Sequence, residues 1–137
     1  MHSAEHIFWA FRKKFFPDLE SESMQFQDDK IRLDFRYKDK IDEQKIKRLE
    51  KLVNEQIKKN LPVKKELIKR KQAEKITDLS LIPENVQDIR IVKIGDISTE
   101  ACVGPHVKNT SEIGTFKILE IKKRGKNKLR IYITVEN

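Results

Sequence analysis

Two short stretches hold every cysteine and histidine of this chain. His2 and His6 lie in "HSAEH", and Cys102 and His106 in "CVGPHVKNT", so three residues separate the members of each pair. On a helix, positions i and i+4 project from one face a turn apart, which lets two imidazoles share a metal ion. The second pair encloses Gly104-Pro105, which works against a regular helix, so its ligands are expected from a tight loop. One sulfur and three nitrogens suit Zn2+, a borderline-soft ion that thiolate and imidazole bind tetrahedrally. The spacing therefore points to a zinc site of His2, His6, Cys102 and His106, half from a helix and half from a loop.

Four protein ligands are usual for a structural zinc, whereas a hydrolytic one keeps a position for water or substrate. Three arrangements follow: one ligand leaves or sits out, the coordination shell expands, or the metal only holds the fold. His2, directly after Met1, is the ligand most open to fraying. No further histidine is left to serve as a base. Glu5, between the two histidines, is a candidate catalytic carboxylate; its other reading is a first-turn carboxylate favoured by the helix dipole. Thr110 is a second candidate for catalysis or substrate binding, against a turn-forming or capping role ahead of Glu112.

The elements that must position these groups show in the hydrophobic period. Ala4, Ile7, Phe8, Phe11 and Phe15 make one helical stripe over 3–16, ended by Pro17, with the two histidines away from that stripe. "KIRLDFR" alternates as a half-buried strand. Ile46, Leu49, Leu52, Val53 and Ile57 predict a second helix within 39–60, before Leu61-Pro62. A short strand over 63–68 and a short helix over 70–76 follow. "DIRIVKI", "TFKILEI" and "LRIYITV" are three more strands, the last two joined as a hairpin by "KKRGKNK". The expectation is one domain over 1–137, of α+β class, with a mainly antiparallel sheet and two principal helices packed on it.

Lys plus Arg number 30 against 22 Asp plus Glu, a formal net charge of +8, which favours an anionic partner such as nucleic acid; a charged surface serving only stability and solubility is the alternative. The densest clusters are Lys64, Lys65, Lys69, Arg70 and Lys71, and Lys122, Lys123, Arg124, Lys126 and Lys128 on the hairpin. Such side chains contact phosphates and fix position without reading sequence. One cysteine makes no internal disulfide, no charged-then-apolar leader opens the chain, and no apolar run is long enough to span a bilayer. These features lead to the expectation of a cytoplasmic protein without a membrane partner.

"HSAEH" with its aromatic-rich helix, "IRLDF", "LVNEQIKKNLPV", "IVKIGDISTEACVGPHVKNTSEIGTFKI" and the terminal hairpin together resemble the editing domain of alanyl-tRNA synthetases and the freestanding AlaX proteins. These belong to the second additional domain superfamily of threonyl and alanyl tRNA synthetases. The resemblance runs in order along nearly the whole chain. It implies that fold, zinc on His2, His6, Cys102 and His106, and hydrolysis of the ester in mischarged aminoacyl-tRNA, with serine on alanine tRNA as substrate; no DNA is expected as partner. Two alternatives stand beside it, a non-catalytic zinc-stabilised tRNA-binding module and a fragment of a larger synthetase-like protein. Departures are visible. Val103-Gly104-Pro105 stands where alanyl members write Gly-Gly-Thr, and no strand precedes the first histidine. Ser21, Glu22, Ser23, Met24 and Gln25 occupy the region of the family's polar pocket residue, leaving Ser21, Ser23, Gln25 and Thr110 as pocket candidates.

Overall fold

The apolar stripes become two long helices, α1 (His2–Phe15) and α2 (Glu43–Lys58), in a computed structural model that describes residues 1–80 and 82–136. Asp42 starts α2 by accepting from the backbone N–H groups of Gln44 (2.9 Å) and Lys45 (3.3 Å). Ile46, Leu49, Val53 and Ile57 are buried along one side of α2, and Ala4, Ile7 and Phe8 along α1. The far end of α2 is closed from a distance. The Thr110 hydroxyl donates toward the carbonyls of Ile57 (3.0 Å) and Gln56 (3.3 Å) and accepts from Leu61 N–H (2.8 Å), which satisfies groups a helix end leaves open.

Both helices pack on a four-stranded antiparallel sheet of β1 (Glu20–Phe26), β2 (Ile31–Arg36), β6 (Thr115–Lys123) and β7 (Lys128–Glu136), in the order β1-β2-β7-β6. The alternation seen in sequence sorts the faces. Ile31, Leu33 and Phe35 pair with Ile133, Ile131 and Leu129 on the helix side, and Arg32 and Asp34 pair with Tyr132 and Arg130 on the other. The edge at β6 is covered by α2. Asn54 donates to Phe116 O (2.9 Å) and accepts from Phe116 N–H (2.8 Å), while Glu50 accepts from Ile118 N–H (2.8 Å). Side chains of a helix thus occupy backbone groups that an edge strand would otherwise present to another chain.

A second antiparallel sheet holds β3 (Val63–Lys69), β4 (Asp88–Ile94) and β5 (Ser98–Ala101), with β4 central. The expected α+β class with two principal helices is what the chain forms, its strands divided between two sheets. Ala73, Leu79, Ile89 and Ile91 make a small core of their own on one face of the second sheet. Arg70 pins the loop beside it by donating to the carbonyls of Pro83 (2.8 Å), Val86 (2.9 Å) and Ile82 (3.3 Å). The helix expected over 70–76 is shorter, α3 (Arg70–Ala73), with turns after it. Two strands escape the period rules. All of β1 is exposed, so it carries no alternation, and β5 is only four residues long.

The Asn54 contact makes a stability prediction. Asn54→Leu leaves a donor and an acceptor of Phe116 without their partner, and the cost should be about 1–3 kcal/mol. Urea unfolding followed by circular dichroism measures it.

Candidate metal centre

The first turn of α1 carries His2 and His6 toward β5, not toward the main core. His6 is only 2% exposed. The loop after β5 brings Cys102 and His106 to the same place, and it is fastened at both ends. Cys102 N–H donates to Arg90 O (3.1 Å), and the Arg90 guanidinium donates to Gly104 O (2.8 Å). Further on, Val63 N–H donates to Lys108 O (2.9 Å) and Thr110 N–H to Leu61 O (2.9 Å). The loop therefore has little freedom to carry its ligands elsewhere.

The four expected ligands converge. One donor atom from each of His2, His6, Cys102 and His106 lies within 4.8 Å of all the others. His2 Nε2 is 3.1 Å and His106 Nε2 3.4 Å from the Cys102 sulfur, and the ring centroids of His6 and His106 are 4.6 Å apart. Two nitrogens on the far sides of these rings meet other side chains. Ser3 Oγ is 2.8 Å from His106 Nδ1 and accepts from Val107 N–H at 3.4 Å. Glu100 Oε2 is 3.0 Å from His6 Nδ1, close enough for an ion pair though off the line of a good hydrogen bond. Partners of this kind fix the orientation of a ligating imidazole and turn its other nitrogen to the metal.

The charges suit such a role. Burial alone would raise the Cys102 thiol, but contacts with His106, His2, His6 and the Gly104 N–H bring it down to about 3, so the sulfur is a thiolate. Burial disfavours a charged His6, yet Cys102 and Glu100 outweigh it and carry its pKa up to about 10, so a metal ion taking this nitrogen would displace a proton. Burial lowers His106. Desolvation pushes Glu5 up to about 7, countered in part by His6. A thiolate with imidazoles whose outer nitrogens are engaged is the donor set a tetrahedral divalent ion takes.

Several sequence candidates lie elsewhere or do other work. Glu5 stays close to the centre: it is 8% exposed, and its carboxylate is 3.9 Å from His6 Nε2, the nitrogen opposite the one that faces Glu100. Thr110 is fully buried with its hydroxyl engaged at the end of α2, while the cap expected ahead of Glu112 is supplied by Asn109. Ser23 donates to Asp34 (3.0 Å), and Gln25 pairs with Arg32, so both belong to the face of the main sheet away from the metal ligands. Ser21, Met24 and Phe26 pair with Phe35, Leu33 and Ile31 on the inner face, and the Phe26 ring lies 4.6 Å from that of His2. The side chain of β1 nearest the centre is therefore aromatic.

The basic clusters separate. Lys65 reaches His106 O at 3.4 Å, beside the centre. The hairpin group is at the other end of the main sheet: Thr134 touches Met1, and the strand from there back to Lys128 covers roughly 20 Å. Arg70 is engaged by its three carbonyls, Lys69 by Asp88 (2.7 Å), Lys122 by Glu120 (3.4 Å) and Lys128 by Glu22 (3.4 Å). Lys64, Lys71, Lys123, Arg124 and Lys126 have no acidic partner among the described residues. Glu100 and Ser3 were not legible as site residues, because a lone glutamate in a short strand and a serine in a helix carry no spacing signal.

The family model for the threonyl and alanyl tRNA synthetase second additional domain matches residues 89–132, from β4 through the Cys102 loop into β7. An alanine–tRNA ligase of Treponema denticola is 33% identical over 138 residues, covering 99% of this chain and 23% of the ligase. That of Bdellovibrio bacteriovorus is 38% identical over 120 residues, 86% of this chain and 13% of the ligase. The alanyl-tRNA editing protein AlaX-M of Methanosarcina acetivorans is 38% identical over 112 residues, 78% of this chain and 45% of that protein. The chain spans less than half the length of each of these relatives. With α1, both sheets and the two ligand pairs in place, it belongs to the second additional domain family of threonyl and alanyl tRNA synthetases, as an alanyl-tRNA-synthetase-like member.

Proposed function

We propose that this chain hydrolyses the ester of mischarged aminoacyl-tRNA, with Zn2+ held by His2, His6, Cys102 and His106. The observation that carries the reading is the meeting of two distant ligand pairs at one point, with Glu100 and Ser3 behind two of the imidazoles. The similarity to editing proteins supplies the reaction class. Bound there, zinc would polarise an ester carbonyl or lower the pKa of a water. An aminoacyl ester is already activated, so the protein's part is to orient the substrate. His6 and His106 are oriented by their partners, and Phe26 walls the side next to His2, with Met24 next along the same face of β1.

Serine on alanine tRNA is the substrate we favour, because a site that bonds a hydroxyl rejects the analogue lacking it far better than an apolar wall senses a methyl group. On the inner face of β1 the one hydroxyl is that of Ser21, which pairs with Phe35 beside Leu129 at the hairpin end of the sheet, so selectivity falls to the metal centre itself. The nucleic acid would be held by cations that lack acidic partners, Lys64 and Lys71 near the small sheet and Lys123, Arg124 and Lys126 at the hairpin. A second reading, a zinc-stabilised tRNA-binding module without turnover, draws on the four-ligand count, which is usual for a structural site.

Two measurements decide. Zinc-loaded protein is incubated with serine-charged and alanine-charged alanine tRNA and with serine-charged threonine tRNA, and ester loss is followed. Serine should leave alanine tRNA at least about tenfold faster than alanine does. Loss from none of the three, by folded zinc-bound protein, would leave the binding-module reading. For the RNA, Lys64→Ala, Lys71→Ala and Lys126→Ala should each flatten the slope of log affinity against log salt by about one. Arg70→Ala should lower stability instead, since its guanidinium holds the 82–86 loop.

A further inference from the structure

The four ligands are not held equally. His6 is buried, with Glu100 at its far nitrogen. His106 has Ser3 at its far nitrogen, and Ser3 is in turn bonded by the loop backbone. Cys102 is fixed through its own N–H to Arg90 O, and its sulfur accepts from Gly104 N–H at 3.4 Å. His2 is different. Among the described residues its ring makes one hydrogen-bond contact, to the Cys102 sulfur, and it stands at the first position of α1, where no side chain caps the helix.

The surroundings of His2 are also the open ones. Phe26 beside it is 46% exposed and belongs to an edge strand whose every residue is exposed. The neighbouring loop residue Val103 is 92% exposed. On the loop side the His2 ring lies against the backbone of Gly104 so closely that a Cβ there would collide with the imidazole. His2 therefore reaches the centre through a gap that a missing side chain provides, and besides the Cys102 sulfur its ring meets only the Phe26 ring and the other two imidazoles among the described aromatic contacts.

We propose that His2 is the exchangeable ligand, and that His6, Cys102 and His106 form the permanent set. Departure of His2 gives a coordination position on the Phe26 side, where a substrate can enter. The idea rests on the metal-site reading of the previous section and resolves its difficulty: a site with four protein ligands becomes able to take water or substrate. It also assigns Glu100 as the positioning residue for His6, acting through that ring.

The test uses Co2+ alone, titrated into the full chain against a competing chelator, with the sulfur-to-metal charge-transfer band as a second readout. His2→Ala should keep the charge-transfer band and lose no more than about tenfold in affinity. Glu100→Gln should lose about 10–100-fold, and His6→Ala and His106→Ala more than that. Gly104→Ala, which displaces the His2 ring without removing it, should behave like His2→Ala and covers the case in which His2→Ala disturbs the helix start. Folding of each variant is checked by circular dichroism. Folded His2→Ala and Gly104→Ala proteins that lose metal as severely as His6→Ala would overturn the ranking. A wild-type chain that binds no Co2+ would overturn the centre itself, and loss of ester hydrolysis with the ranking intact would remove only the deacylase reading.

Discussion

The structure turns on one meeting, that of the Cys102 sulfur with the N-terminal turn of α1, two points a hundred residues apart in the chain. A thiolate, three imidazoles and two carboxylates gathered between a helix and a sheet would be costly if each stood alone, because burying charge is unfavourable unless partners compensate. Here each group answers another. His6 stands between Cys102 and Glu100, and Ser3 joins His106 to the loop backbone. A cation at their centre would complete that compensation, which is why metal binding and folding are linked in such sites. The devices that fix the loop, Arg90 on Gly104 O and the Thr110 hydroxyl on α2, serve the same meeting.

Much of this was legible before any coordinates. The two His and Cys pairs that meet in the fold were visible because cysteine and histidine are so scarce here that their spacing stands out. The long helices and the strands of the main core were visible because burial on one side writes a period into the sequence. What stayed hidden had no period to write. β1 has its residues exposed and is ordered by the backbone of β2, and its bulge at Ser21 to Ser23 shifts which side chains face inward. That shift is why Ser21, Ser23 and Gln25 looked equivalent in sequence and are not in space.

The basic residues show a different limit. Their number was plain, but the use of each depends on neighbours that sequence does not reveal. Arg70 sits in the densest cluster and yet supports a loop from within, its side chain 13% exposed. Lys65 sits in the same run and bonds the backbone of a ligand residue. A run of like charges is thus a mixture of structural and free cations, and only the free ones are available to phosphates.

The loop between the ligands can be reconsidered on the same footing. Of Val103, Gly104 and Pro105, only Gly104 is constrained by the centre, since a Cβ there would enter the His2 ring. Val103 and Pro105 are exposed, so their side chains are free to differ from Gly-Gly-Thr without disturbing the donors. The departure in that loop therefore says little about which amino acid is recognised. The inner face of β1 says more, because there Phe26 stands beside His2 with Met24 next on the same face, so that side of the centre is lined by apolar side chains.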